Sequence, residues 1–384
     1  MTSSPLSILP VAESDLEFPA GGVPEPNGLP ADTGTDGICR SRRQRYDSGP
    51  LALPWVFWSV GGPAVGVRTL SSASNSMTSD HLRSVLVPGF LLEEHRAELE
   101  RAADRRATIV SEGDATADRV PDGLEVIVTG IDEALFDRAI DAPSARWVHS
   151  ISAGIEHLPL DLMAERGILL TNSAGAYATA MAEYVIGAAI MLARNLPGWL
   201  EGQQERRWLE PDASGVSLLR GKRLGIVGYG AVGRELANAG KALGMQVWAT
   251  KRTPVFLSGE PLERCASLNL TTRALIGETE LVAMRPTAIL VNVARGGLID
   301  EDALVRALTD GEIRGAVLDV TSEEPLPAES PLWTTPHLKI TPHISGNAPE
   351  SWEAAVAFLC ANLDHYLAGT PERMGNLVDY AAVR

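Results

Sequence analysis

The sequence lacks most of the features that would place it in a specialised class. Cysteine is scarce: Cys39, Cys265 and Cys360 are the three in 384 residues, and they lie far apart. That argues against a disulfide framework and fits a reducing compartment, so a cytoplasmic protein is expected. No apolar run reaches the length of a transmembrane helix. Basic residues are in the minority, 33 Lys and Arg against 49 Asp and Glu, for a formal net charge of -16. That balance argues against nucleic acid or an anionic membrane surface as a partner. A site for an anionic small molecule must then be positive locally, so individual arginines matter. No metal site is expected. Lysine is absent from residues 1–76, where proline, glycine and serine are dense and no helical or strand period persists. This stretch reads as a disordered N-terminal extension, with the working protein beginning near Met77. Within it, Arg40, Arg42, Arg43 and Arg45 precede the apolar LALPWVFWSV at residues 51–60. That run imitates a signal peptide, but it begins too far from the N-terminus and a proline interrupts it.

The remainder is long enough for two domains, each with its own core. From Ser84 onward, strand-like SVLVPG, ATIVSEG, GLEVIVTG, ARWVHSISAG and ILLTN alternate with helical stretches. Such alternation predicts a parallel sheet with helices on both faces. The segment from Ala178 to Asn195 is apolar nearly all round and is expected to be a helix buried between layers. Residues 349–367 are expected to be helical and to pack back on the first domain.

The chain is organised around LGIVGYGAVGRELANAGKALGMQVWATKR at residues 224–252, which reads as strand, tight turn, helix and second strand. Gly228, Gly230 and Gly233 fall in the G-x-G-x-x-G spacing. The first permits the sharp turn, the second lets the backbone approach a pyrophosphate, and the third lets the helix pack closely on the sheet. The helix N-terminus supplies free amides and a positive dipole end for the diphosphate. The context of strand, turn and helix makes this a dinucleotide site rather than a chance glycine turn. At the end of the second strand, where a carboxylate usually grips the ribose hydroxyls of NAD, the chain has Lys251 and Arg252. Two cations there suit a 2'-phosphate, so the expected cofactor is NAD(P), with NADP(H) favoured over NAD(H).

Three polar residues sit just past strand ends in the second half: Arg295 after ILVNVA, Glu324 after AVLDVTSE and His343 after LKITP. Strand C-termini line the ligand crevice of an open parallel sheet, so these side chains should converge near a nicotinamide. Hydride transfer to a 2-oxo acid needs this set. A guanidinium holds the substrate carboxylate and polarises the carbonyl. An imidazolium delivers a proton to the carbonyl oxygen and recovers it in reverse. A glutamate paired with the imidazole favours its charged form and fixes the ring.

The blocks GYGAVG, ILVNVARGGLIDEDALVRAL, LDVTSEEPLP and ITPHISG resemble those of the D-isomer-specific 2-hydroxyacid dehydrogenases, over residues 84–379. The resemblance implies a Rossmann dinucleotide-binding domain at residues 176–348. It also implies a flavodoxin-like, discontinuous substrate domain at residues 77–175 and 349–384. It assigns Arg295, Glu324 and His343 as the catalytic residues, Glu324 being the glutamate directly before Pro325. It places the cofactor against Tyr229, Ala231 and Val232 of the turn and against Val293 and Ala294, with Asp319 facing the nicotinamide carboxamide. SAGIEHL resembles the substrate loop, so Ser152, Ala153 and Gly154 would offer amides to a substrate carboxylate. Homodimers and a small 2-oxo acid such as glyoxylate or hydroxypyruvate are the implied partner and substrate.

The chain departs from that pattern after Lys251, where it is shorter than expected by about 15 to 20 residues, too few for a complete second mononucleotide crossover. Loss of a central strand would leave its neighbours unpaired. Two rival readings stand beside the enzyme: an NAD(H)-responsive binding protein of the corepressor type, which the resemblance in fold also allows, and an inactive relic because of the shortened 251–271 segment.

Overall fold

The structure is a computed structural model and describes residues 56–58, 83–115, 119–210, 215–251, 264–267 and 274–383. In chain order the elements are β1 (Val56–Trp58), β2 (Arg83–Val87), α1 (Gly89–Ala103), β3 (Ala107–Ser111), β4 (Leu124–Val128), α2 (Glu133–Asp141), β5 (Trp147–Ser150), α3 (Leu160–Glu165) and β6 (Leu169–Asn172). There follow α4 (Ala178–Ala193), α5 (Leu196–Gln204), β7 (Arg223–Val227), α6 (Ala231–Ala242), β8 (Gln246–Lys251), β9 (Arg264–Ser267), α7 (Glu278–Val282), β10 (Ile289–Asn292), α8 (Glu301–Thr309), β11 (Gly315–Leu318), β12 (Leu338–Ile340), α9 (Pro349–Leu367) and α10 (Tyr380–Val383).

Local chemistry sets several boundaries. Asp132 caps α2 by accepting from the Leu135 amide at 3.1 Å, and Asp300 caps α8 by accepting from the Ala303 amide at 2.9 Å. Proline opens α9, where its missing N–H costs nothing.

The strands form two parallel sheets. The five-stranded sheet has the order β3-β2-β4-β5-β6, the flavodoxin-like order. Its two faces are covered separately. α1 and α9 bury Leu91, Leu92, Leu99, Leu359 and Leu363 on one side, and α2 with its neighbours buries Leu135, Ile140 and Met163 on the other. The late helix α9 thus packs on a sheet built from the first half of the chain.

The seven-stranded sheet has the order β12-β11-β10-β1-β7-β8-β9. On one face α4 and α6 bury Val185, Ala189, Leu236 and Ala237 against β7, β8 and β10. On the other, α7 and α8 bury Leu281, Leu304 and Leu308. A strand covered on both faces needs a continuous apolar run, and Ile289, Leu290 and Val291 of β10 are fully buried.

One strand overturns an expectation. β7, β8 and β9 occupy the first three positions of a Rossmann sheet, and β10 and β11 occupy the fifth and sixth. The fourth position, between β7 and β10, is taken by β1. Val56, Phe57 and Trp58 pair in parallel with Gly225, Ile226 and Val227 on one side and with Leu290, Val291 and Asn292 on the other. The reading of residues 1–76 as wholly disordered therefore fails at Val56–Trp58. The physical reason is the gap itself. The short connection after β8 provides the edge strand β9, and the apolar VFW run satisfies the backbone groups that face the vacancy. Most of that connection, Arg252 included, lies outside the described residues, as does the rest of the N-terminal extension. Among the described residues no helix is long and apolar enough to cross a membrane.

Candidate active site

The glycine turn joins β7 to α6. Gly228 has φ +97°, the left-handed region that glycine adopts without steric cost. Its amide and that of Tyr229 donate to the Thr250 carbonyl at 3.1 and 2.9 Å, pinning the turn to the end of β8. Gly230 is the N-cap of α6. A Cβ on Gly233 would stand 2.6 Å from the Gly228 carbonyl oxygen and 3.3 Å from Ile226, so only glycine lets helix, turn and strand meet. The first turn of α6 has no acidic residue, and the amides of Ala231 and Val232 are among the orphan donors of its N-terminus. These residues fit a diphosphate. Tyr229 is buried at 3% exposure, with the Arg234 guanidinium 5.4 Å from its ring centroid. Lys251 ends β8 and is half-buried.

Past β10, the Asn292 side chain braces the turn that presents Arg295. Its Nδ2 donates to the Arg295 carbonyl at 2.8 Å, and its Oδ1 accepts from the Ala294 amide at 3.0 Å. Asn292 is fully buried, and Val293 and Ala294 are nearly so. Gly296 follows, and a Cβ there would fall onto the Thr321 carbonyl and the Ser322 amide. Glycine therefore lets the Arg295 turn press against the loop carrying Glu324. The Glu324 carboxylate accepts from the Thr321 amide at 3.0 Å through Oε1. Its other oxygen, Oε2, lies 2.8 Å from His343 Nδ1.

His343 itself has φ +55°, an uncommon conformation for a residue with a Cβ, and the loop around it is tied down by Asp319. The Asp319 carbonyl accepts from the His343 amide at 2.8 Å. Its carboxylate, 1% exposed, accepts from Thr341 Oγ1 at 2.6 Å, the Ile344 amide at 2.9 Å and the Ser345 amide at 2.8 Å. Both oxygens thus hold the histidine loop, a role the sequence reading did not include. Tyr184 of α4 extends the chain with its hydroxyl 2.5 Å from Thr341 Oγ1. The His343 side chain is half exposed, so with Nδ1 on Glu324 the free ring nitrogen is Nε2.

The Arg295 side chain turns to the loop of the other sheet. Ser152, Ala153 and Gly154 direct their carbonyls inward, to the Ser173 amide at 3.1 Å, Asn172 Nδ2 at 2.8 Å and Ser150 Oγ at 3.4 Å respectively. Arg295 Nη2 lies so close to Gly154 that a Cβ there would push the guanidinium aside. It donates to Glu156 Oε1 at 3.2 Å and Oε2 at 3.1 Å. Burial raises the Glu156 pKa, but its backbone amide, the Arg295 hydrogen bond and the Arg295 charge outweigh that and hold it below the usual carboxylate range. The structure thus brings His343 onto Glu324 and packs the Arg295 turn against the same loop, while the guanidinium faces Gly154 and Glu156. Asn292, Gly296 and Glu156 were missed by the sequence reading. The signal for Asn292 was a polar residue inside the apolar ILVNVA.

Tyr177, just before α4, donates to the Ile151 carbonyl at 2.6 Å, and a Cβ on Gly346 would lie 3.2 Å from that of Tyr177. The start of α4 therefore touches both the loop after β5 and the histidine loop.

Fold and site define a class, the Rossmann-type dinucleotide-dependent oxidoreductases, and comparison with known proteins narrows it. The model of the D-isomer specific 2-hydroxyacid dehydrogenase, NAD binding domain, matches residues 186–260 and 262–345. The chain is 32% identical over 307 residues to the (S)-sulfolactate dehydrogenase of Chromohalobacter salexigens, covering 71% of this chain and 94% of that protein. It is 29% identical over 270 residues to the D-3-phosphoglycerate dehydrogenase of Methanocaldococcus jannaschii, covering 66% of this chain but only 51% of that protein. Among solved structures, the D-isomer specific 2-hydroxyacid dehydrogenase of Xanthobacter autotrophicus in complex with NADPH and MES superposes with a TM-score of 0.63 at 25% identity. That alignment covers 78% of this chain and 98% of that one. The chain belongs to the D-isomer-specific 2-hydroxyacid dehydrogenase family of NAD(P)-dependent enzymes.

Proposed function

We propose that this protein reduces a small 2-oxo acid to the corresponding 2-hydroxy acid, with glyoxylate and hydroxypyruvate as the first candidates. The observation that carries the reading is the 2.8 Å contact of His343 Nδ1 with Glu324, because it leaves Nε2 as the proton donor. Gly228, Gly230, Ala231, Val232 and Gly233, with Val293 and Ala294 lining the site, would hold NAD(P)H, which would supply the hydride for the substrate carbonyl carbon. Arg295 binds the substrate carboxylate and draws electron density toward the carbonyl oxygen. His343 Nε2 delivers its proton to that oxygen, giving the alcohol, while Glu324 holds the ring through Nδ1. In the oxidative direction the same nitrogen takes the hydroxyl proton back. Amides of Ser152, Ala153 and Gly154 complete the carboxylate site, and Asp319 keeps the histidine loop in place.

Lys251 at the end of β8 favours NADP(H), a reading supported by the NADPH complex of the Xanthobacter relative. Residues 77–175 with 349–384 serve as the substrate domain and residues 176–348, completed by β1, as the cofactor domain. A cytoplasmic homodimer suits the exposed Leu196, Leu200 and Trp208 on and after α5. The test is initial rates with NADH and NADPH across glyoxylate, hydroxypyruvate, pyruvate and a branched 2-oxo acid. His343→Gln should lower kcat by about 10²–10⁴-fold, and Arg295→Ala should abolish measurable turnover. Wild-type protein that oxidises neither cofactor with any of the acids would refute the assignment.

A further inference from the structure

The guanidinium assigned to the substrate already holds a carboxylate of the protein's own. Arg295 Nη2 bridges both oxygens of Glu156 at 3.2 and 3.1 Å, and Nη1 donates to the Ala294 carbonyl at 2.6 Å. A Cβ at Gly154 would lie 2.8 Å from Glu156 Oε2 and would also collide with the guanidinium. With only a hydrogen at Gly154, carboxylate and guanidinium meet there without either side chain having to shift. Glu156 sits two residues beyond Gly154, on the loop that the carboxylate of a 2-oxo acid must approach. A substrate carboxylate and the Glu156 carboxylate have the same charge and the same donor preference, and they cannot both take Nη2 in this geometry.

We propose that Glu156 is an internal competitor for the substrate. Its carboxylate occupies Arg295 in the empty enzyme and is displaced when the 2-oxo acid binds. Once displaced, it stands beside the bound acid as a negative charge that disfavours substrates with a second carboxylate. Glu156 is thus a specificity-determining residue of the same site, and the inference rests on Arg295 being the carboxylate anchor. Displacement is within reach because the pair is exposed, with the side chains of Arg295 and Glu156 accessible to 48% and 69%. Such pairs are weak and exchange readily.

The experiment compares wild type with Glu156→Gln, which removes the charge and keeps the shape. KM and kcat are measured for glyoxylate and for oxaloacetate, a 2-oxo diacid, and oxalate binding is measured by calorimetry without turnover. Loss of the competing charge should lower KM for glyoxylate by about two- to fivefold, with kcat moving less than KM, and tighten oxalate by a similar factor. The gain in kcat/KM should be larger for oxaloacetate than for glyoxylate. Because Glu156 is exposed, Glu156→Ala should fold equally well and show the same direction. An unchanged or raised KM, or unchanged or weaker oxalate binding, would overturn the proposal and make Glu156 a brace for Arg295. If wild type turns over none of the acids, the reductase reading fails by itself, and the oxalate titration still decides whether Glu156 competes at Arg295.

Discussion

A variant beginning at Met77 removes β1 and should not keep the cofactor sheet. β1 pairs with β7 and β10 at three registers each, and strands sit about 4.8 Å apart, so its loss separates β7 from β10 by roughly 10 Å. In a parallel ladder each strand offers alternate backbone groups to its neighbour, so about three groups on each flanking strand lose their partners. Each orphaned buried group costs about 1–3 kcal/mol, and together these costs rival the roughly 5–15 kcal/mol that stabilises a whole domain. The assay is thermal denaturation with and without NADPH, joined to hydrogen exchange at the amides of β7 and β10. The shortened variant should lose the stabilisation by NADPH and the protection of Leu290–Asn292 and Gly225–Val227. Phe57→Pro in the full-length chain should lower the melting temperature in the same direction, since proline lacks the ladder N–H. A protein starting at Met77 that melts at the wild-type temperature, with the same NADPH shift, would refute the argument.

Two further outcomes can be checked. Gly233→Ala places a methyl group 2.6 Å from the Gly228 carbonyl, so α6 must move away from the turn. The expected result is a loss of about 1–3 kcal/mol in stability and at least tenfold weaker NADPH binding by fluorescence titration. His149 is fully buried between Thr171 Oγ1 at 2.8 Å and Ser173 Oγ at 3.3 Å, and burial lowers its pKa from 6.5 to about 3. The unfolded chain binds this proton below pH 6.5 and the folded chain does not until about pH 3, so stability rises with pH across that window and falls on acidification. Between pH 6.5 and pH 5 the loss attributable to this residue is about 2 kcal/mol. His149→Gln should flatten that part of the curve in chemical denaturation, and an unchanged slope would contradict the account.

The parts of the site legible in the sequence are those with local signatures. Gly228, Gly230 and Gly233 announce themselves by spacing because the turn, the cap and the helix contact all lie within one short segment. Arg295, Glu324 and His343 stood out because each follows an apolar strand, and strand ends are where a parallel sheet opens to ligands. Glu156 was not found, since its partner lies far along the chain and in the other sheet. Asp319 was expected to face the nicotinamide carboxamide; that its carboxylate accepts from the Thr341 hydroxyl and two backbone amides of the histidine loop was not legible in the sequence. β1 was missed for a different reason. Its VFW run has aromatic and β-branched composition typical of strands, but it stands among prolines and glycines, and both its partners lie in the second half of the chain.

The cap and second turn of α4 join the two sheets through two phenols. Tyr177 is bonded to Ile151, just past β5, and Tyr184 to the threonine that precedes the histidine loop. The helix is thus fastened to the five-stranded sheet at its cap and to the seven-stranded sheet two turns further on, so its length fixes the spacing between the loop after β5 and the loop that carries His343.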